Sequence, residues 1–143
     1  MAEPVAFAAD HGGFELKTLL LKDLADAGVP VVDLGTHAAD SVDYPDFADR
    51  LAAALKDGRA ARGVLICGTG IGISIAANRH RHIRAALCHD ETTARLCREH
   101  NDANVLALGA RVIGPEVARA CLNVFLTTKF AGGRHERRVA KLS

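Results

Sequence analysis

A chain of 143 residues, 49% hydrophobic and 24% charged, has the size and balance of one globular domain. Its net charge of +1 and 4% aromatic content exclude a global attraction to nucleic acid or an anionic membrane and leave no base-stacking platform. No apolar run of about 18 residues marks a membrane span, Met1-Ala2-Glu3-Pro4 has no leader character, and Cys67, Cys88, Cys97 and Cys121 lack Cys-x-x-Cys spacing, fitting free thiols in a reducing cytoplasm.

The apolar pattern alternates between strand and helix. Val5 to Ala9 is a short apolar run ending at Asp10-His11-Gly12-Gly13. Helical spacing follows through Phe14, Leu16, Leu19, Leu20, Leu24 and Ala25, stopped by Gly28. Val29 to Leu34 reads as a second strand closed by Gly35, and 36–43 as a polar loop. Tyr44-Pro45 opens a helix carrying Phe47, Leu51, Ala52 and Leu55 as far as Gly58. Val64 to Cys67 is a third strand, with a helix from Ile71 to about Arg79. Ile83 to Cys88 is a fourth, with its helix from Glu91 to about His100. Val105 to Leu108 is a fifth, and Pro115 after Gly114 starts a helix reaching about Phe130. Gly132 to Arg138 reads as a polar, basic tail. Strands apolar on both faces and separated by helices imply one domain, residues 1–143, with a parallel sheet covered on both sides.

Residues 63–78 hold the most informative pattern. An apolar strand delivers Cys67 into a loop with Gly68, Gly70 and Gly72, and the chain then turns into a small-residue helix. Glycines so placed let the backbone approach a ligand and leave N–H groups pointing at an anion. A thiol at such a turn lies at the positive end of a helix dipole, which favours the thiolate. The alternative is a small buried cysteine ending a core strand.

Ligands of open parallel sheets bind beyond the carboxyl ends of the strands. Asp10-His11, Cys67-Gly68-Thr69-Gly70 and His89-Asp90 are expected there, with His100-Asn101-Asp102 leading into the fifth strand and Arg111 following it. Singly, each has a plainer reading: Asp10 as a helix cap, His100 as a helix C-terminus, Asn101 as a left-handed cap. Their gathering on one side of one sheet favours a site. No Gly-Lys-Ser/Thr follows any glycine loop, so a P-loop is absent, and the Gly68-x-Gly70-x-Gly72 spacing departs from a dinucleotide fingerprint.

Together, Ala9-Asp10-His11-Gly12-Gly13-Phe14, Asp43-Tyr44-Pro45-Asp46-Phe47, Ile66 through Ser74, His100-Asn101-Asp102-Ala103-Asn104, Gly109-Ala110-Arg111-Val112-Ile113-Gly114 and Gly132-Gly133-Arg134-His135 resemble the type B ribose-5-phosphate isomerases, which group with the galactose-6-phosphate isomerase subunits. The resemblance covers nearly the whole chain. It implies a Rossmann-like three-layer α/β/α sandwich with a five-stranded parallel sheet, and a homodimer, open to further pairing, with two sites shared across the interface. It also implies aldose–ketose isomerisation of a sugar phosphate within the pentose phosphate pathway, without metal or cofactor.

The roles it implies fit the residue types. Isomerisation removes a proton beside a carbonyl, passes through an enediolate and returns the proton to the neighbouring carbon. Cys67 matches the base, Thr69 a residue moving the hydroxyl proton, and His100 the acid/base that opens the furanose ring. Asp10 and Tyr44 line the sugar site, while Asn101 and the amides of Gly68 to Ser74, Gly70 and Gly72 among them, hold the enediolate oxygens. His11, Arg134 and Arg138 match phosphate ligands, with the tail brought back over the first strand's loop and Arg111 supplied by the partner subunit. A second version of the family uses a glutamate on the following helix; Cys67 and Ile75 put this chain with the cysteine type. Allose 6-phosphate, galactose 6-phosphate and erythrulose 4-phosphate stand as alternative substrates, and a sugar-phosphate sensor without catalysis as the non-enzymatic alternative.

Overall fold

The computed structural model describes residues 2–143. Strands β1 (Val5–Ala9), β2 (Val31–Asp33), β3 (Arg62–Cys67), β4 (Ala85–Leu87) and β5 (Val105–Gly109) form one sheet in the order β2-β1-β3-β5-β4. Every neighbouring pair is parallel. Helices α1 (Phe14–Asp26), α2 (Tyr44–Lys56), α3 (Ile71–Ala77), α4 (Glu91–Asn101), α5 (Pro115–Thr127) and α6 (Arg134–Ala140) complete the chain.

The three inner strands are buried throughout, Arg62 at the start of β3 apart, and they split the core between two layers. Along β3, Val64 and Ile66 pack with Leu16 and Leu20 of α1, Cys97 of α4 and Phe125 of α5. Leu65 and Cys67 point the other way, packing with Phe47 and Leu51 of α2 and Ile73 of α3. The period of two along the strand thus puts Cys67 on the α2–α3 side. Burying each such leucine or phenylalanine contributes about 1.5–3 kcal/mol before entropy is counted. β2 and β4 are the edges and are partly exposed.

The edge strands are shorter than their apolar runs predict. β4 is trimmed because the Asn78 side chain clamps Ala85 through both its amide groups, at 2.8 and 2.9 Å, which also ends α3 before Arg79. The α5 helix stops at Thr127 rather than near Phe130. There the Thr127 and Thr128 hydroxyls turn back to Asn123 and Val124, and the Arg62 and Arg98 side chains take the carbonyls of Phe125, Leu126 and Thr128. The tail expected to be only polar and basic forms α6, packed against α4.

Direction matters for function. Each strand runs toward the same edge of the sheet, and each crossover helix runs back. The starts of α1 and α3 therefore lie at the carboxyl edge, and the end of α4, which precedes β5, lies at the amino edge.

Candidate active site

At the carboxyl edge, Cys67 is the last residue of β3 and is 4% exposed. Its Sγ accepts the Gly70 N–H at 3.1 Å. Gly70 sits at φ 77°, and a Cβ there would stand 2.5 Å from Leu87 Cδ1 and 2.9 Å from the Leu108 carbonyl carbon. The turn that aims an amide at sulfur therefore requires glycine. Thr69 Oγ1 accepts the Ile71 N–H at 3.1 Å, and the buried Ser74 hydroxyl donates to the Ile71 carbonyl at 2.8 Å. The N–H groups of Gly68, Thr69 and Gly72 donate to nothing among the described residues.

The β1–α1 loop lies against this one: a Cβ on Gly12 would stand 3.2 Å from the Gly68 nitrogen. Asp10 is buried and accepts the Gly13 N–H at 3.2 Å, tightening the turn without capping α1. His11 is exposed, and its Nδ1 accepts the Val42 N–H at 3.2 Å, which leaves the ring proton on Nε2. Tyr44, at the start of α2, lays its ring on Gly72, where a Cβ would come within 2.6 Å of Cζ. Arg111 donates its N–H to the Gly68 carbonyl at 2.9 Å, and its side chain passes 3.5 Å from where a Gly68 Cβ would be. Because Gly109 is in register with Cys67, Arg111 lies beside the glycine loop of its own chain. Asp90, also at this edge, caps α4 by accepting the Thr93 N–H at 2.7 Å.

His100 and Asn101 fall elsewhere. They end α4 at the amino edge, followed by Asp102 in the left-handed conformation at φ 46°, the cap expected of Asn101. β5 separates this edge from the Cys67 loop, and five residues rising about 3.3 Å each put the edges roughly 15 Å apart. The tail goes with them. Ala131 donates its N–H to the Glu99 carbonyl at 3.0 Å, and α6 packs along α4. The His100 and His135 rings stack at 4.4 Å between centroids and 14° between planes. His100, Asn101, His135 and Arg138 line a shallow cleft of about 290 Å³. Burial, then the charges of His100, Arg134 and Arg138, push the His135 ring below the usual histidine range. The tail thus returns over α4 and not over the first strand's loop. His135, given no role from sequence, belongs to this second group; the Gly132-Gly133-Arg134-His135 block is its only sequence signal.

The Ribose/Galactose Isomerase family profile matches residues 5–142. The chain belongs to that family. It is 45% identical to the ribose-5-phosphate isomerase B of Escherichia coli over 97% of this chain and 93% of that one. It is 43% identical to the D-erythrulose-4-phosphate isomerase of Pectobacterium atrosepticum, over 96% and 91% of the two chains. The solved ribose-5-phosphate isomerase B of Clostridium thermocellum superposes with a TM-score of 0.96 at 50% identity, covering 97% of this chain and 94% of that one. In this member of the family, no three His, Cys, Asp or Glu side chains among the described residues converge as metal ligands. No helix among them is long and apolar enough to cross a membrane.

Proposed function

We propose that the protein interconverts ribose 5-phosphate and ribulose 5-phosphate, with Cys67 as the carbon base. The observation that carries this reading is the Cys67 sulfur under the Gly70 N–H, at the start of a loop whose Gly68, Thr69 and Gly72 amides are unengaged among the described residues. An N–H aimed at sulfur favours negative charge there. The thiolate takes the proton from C2 of the open aldose, the amides of Gly68, Thr69 and Gly72 hold the enediolate oxygens, and the thiol returns the proton to C1. Preorganised donors of this kind are commonly worth about 3 kcal/mol each. Thr69 moves the hydroxyl proton between O1 and O2, and Asn101 joins the amides in holding the enediolate oxygens. His100 opens the furanose ring, and Asp10 and Tyr44 line the sugar site.

We further propose that each site is built by two subunits. His100 and Asn101 reach a Cys67 loop only from a second copy, since their own lies across the sheet. On this reading His11 and Arg111 meet the phosphate from one subunit and Arg134 and Arg138 from the other. Apolar surface suited to such an interface flanks the Cys67 loop: Tyr44 is 40%, Ile71 52% and Ile75 61% exposed.

The test is incubation with ribose 5-phosphate in deuterated water, followed by NMR. Ribulose 5-phosphate should form and carry solvent deuterium at C1, and Cys67→Ala should abolish both. The Pectobacterium relative makes a four-carbon substrate the second reading, so erythrulose 4-phosphate, allose 6-phosphate and galactose 6-phosphate belong in the same panel. Binding without turnover of any of them would reduce the protein to a sensor.

A further inference from the structure

Lys17, on α1, is 1% exposed, and its Nζ meets one carboxylate, Asp33 Oδ1 at 2.8 Å, with the Phe14 ring 5.7 Å away. Burying an ammonium is costly unless its partner is well placed, and an apolar side chain would serve packing alone. The other buried cation, Arg98, has an evident task, bonding the Thr128 and Ala103 carbonyls and Asp102. What Lys17 holds is the base of a loop. Asp33 Oδ1 also accepts the Gly35 N–H at 3.0 Å, while the Gly35 carbonyl and the Thr36 N–H bond Ala9, each at 2.8 Å. Burial works against the Asp33 charge, but Lys17 and the Gly35 N–H outweigh it and keep the carboxyl below its usual range. The His37 ring also faces it, its Nδ1 3.7 Å from Asp33 Oδ2. From this base, residues 36–43 run to Val42, whose N–H fixes His11, and to Tyr44 on Gly72.

We propose that the Lys17–Asp33 pair is a positioning device for phosphate capture, setting the 34–43 segment so that Val42 holds His11 with its Nε2 proton free for a phosphate oxygen. It rests on the proposed phosphate role of His11. Lys17 touches no substrate; it acts through Asp33, the loop and Val42.

The experiment measures the dissociation constant of inorganic phosphate by calorimetry, and KM and kcat for ribose 5-phosphate. The proteins are wild type, Lys17→Met, His11→Ala, their double variant, and Val42→Pro, which deletes the N–H to His11 at a half-buried loop position. Losing a well-placed donor to a phosphate should weaken binding about tenfold. Lys17→Met and Val42→Pro should therefore each raise KM and the phosphate constant about tenfold, with kcat within threefold. Lys17→Met should add less than twofold once His11 is alanine. Unchanged phosphate binding in folded Lys17→Met, or a full tenfold loss in the His11→Ala background, overturns the proposal. Should Lys17→Met not fold, unchanged binding in Val42→Pro overturns it as well. Intact coupling in phosphate binding without turnover of any sugar phosphate would sink the isomerase reading and leave this one standing. Failure of the wild type to bind phosphate or ribose 5-phosphate would overturn both.

Discussion

Cys67 differs from the other three thiols in what its sulfur faces. Cys88, Cys97 and Cys121 lie inside the α1–α4–α5 layer. Burial pushes Cys121 up to about 11, and a hydrogen bond with Cys97 together with burial holds Cys88 as the neutral thiol. The Cys67 sulfur instead ends a strand beneath an amide of the glycine loop. Cys67→Ala should lower kcat at least about a hundredfold, the usual reach of a general base, with melting temperature and sugar-phosphate affinity near wild type. A folded Cys67→Ala protein with near-normal turnover would place the base elsewhere. His100 calls for a different readout, because it is assigned to ring opening and not to the carbon acid. His100→Asn should cripple turnover of cyclic ribose 5-phosphate and spare a four-carbon aldose phosphate, which has no furanose to open. Equal losses on both would put His100 in the enediol step.

At the scale of elements, α6 is the piece whose order depends most on its neighbour. Seven residues are too few for a helix that stands alone in water; packing on α4 and the His100–His135 stack supply what length does not. The His135 ring is held below the usual histidine range, so the folded state favours its neutral form. The stability this contributes is complete above pH 6.5, the ordinary histidine value, and is lost as pH falls through the depressed one. Wild type should therefore lose more melting temperature between pH 7 and pH 5 than His135→Phe, which keeps a stackable ring and cannot charge. Equal losses would show that the stack carries no pH dependence. The same short helix explains part of what the sequence hid: Arg134 to Ala140 carries no apolar stripe, since it buries no residue fully. The β1 and β3 loops were readable because strand, turn glycine and chemistry lie side by side in the chain. The position of His100 was not, because residue type suggested the site while chain direction, which puts the end of α4 before β5, assigns it to the other edge. Asp102 in the left-handed cap was hidden for a related reason, since either Asn101 or Asp102 accepts that conformation and the Ala103 N–H, which donates to the Cys97 carbonyl, decides between them.

The proposed site residues lie on two edges of one sheet, and this makes the proposed two-subunit arrangement testable by mixing variants. If each site joins the Cys67 loop of one subunit to the His100 end of its partner, residues of the same edge fail together and residues of opposite edges complement. Mixing inactive Cys67→Ala with inactive His100→Asn protein, under conditions of subunit exchange, builds a heterodimer with one site carrying both lesions and one carrying neither. Random pairing makes half the dimers mixed, each with one intact site of two, so activity should return to about a quarter of wild type. Mixing Cys67→Ala with Arg111→Ala should return nothing beyond the residual activity of the Arg111→Ala protein, because Arg111 packs on Gly68 of its own chain and both hybrid sites then keep one lesion. Recovery in the Arg111 mixture would restore the arrangement in which that arginine comes from the partner. Recovery in neither mixture, with exchange verified by mass spectrometry, would mean that each chain works alone, and His100 would then have no route to the substrate at Cys67.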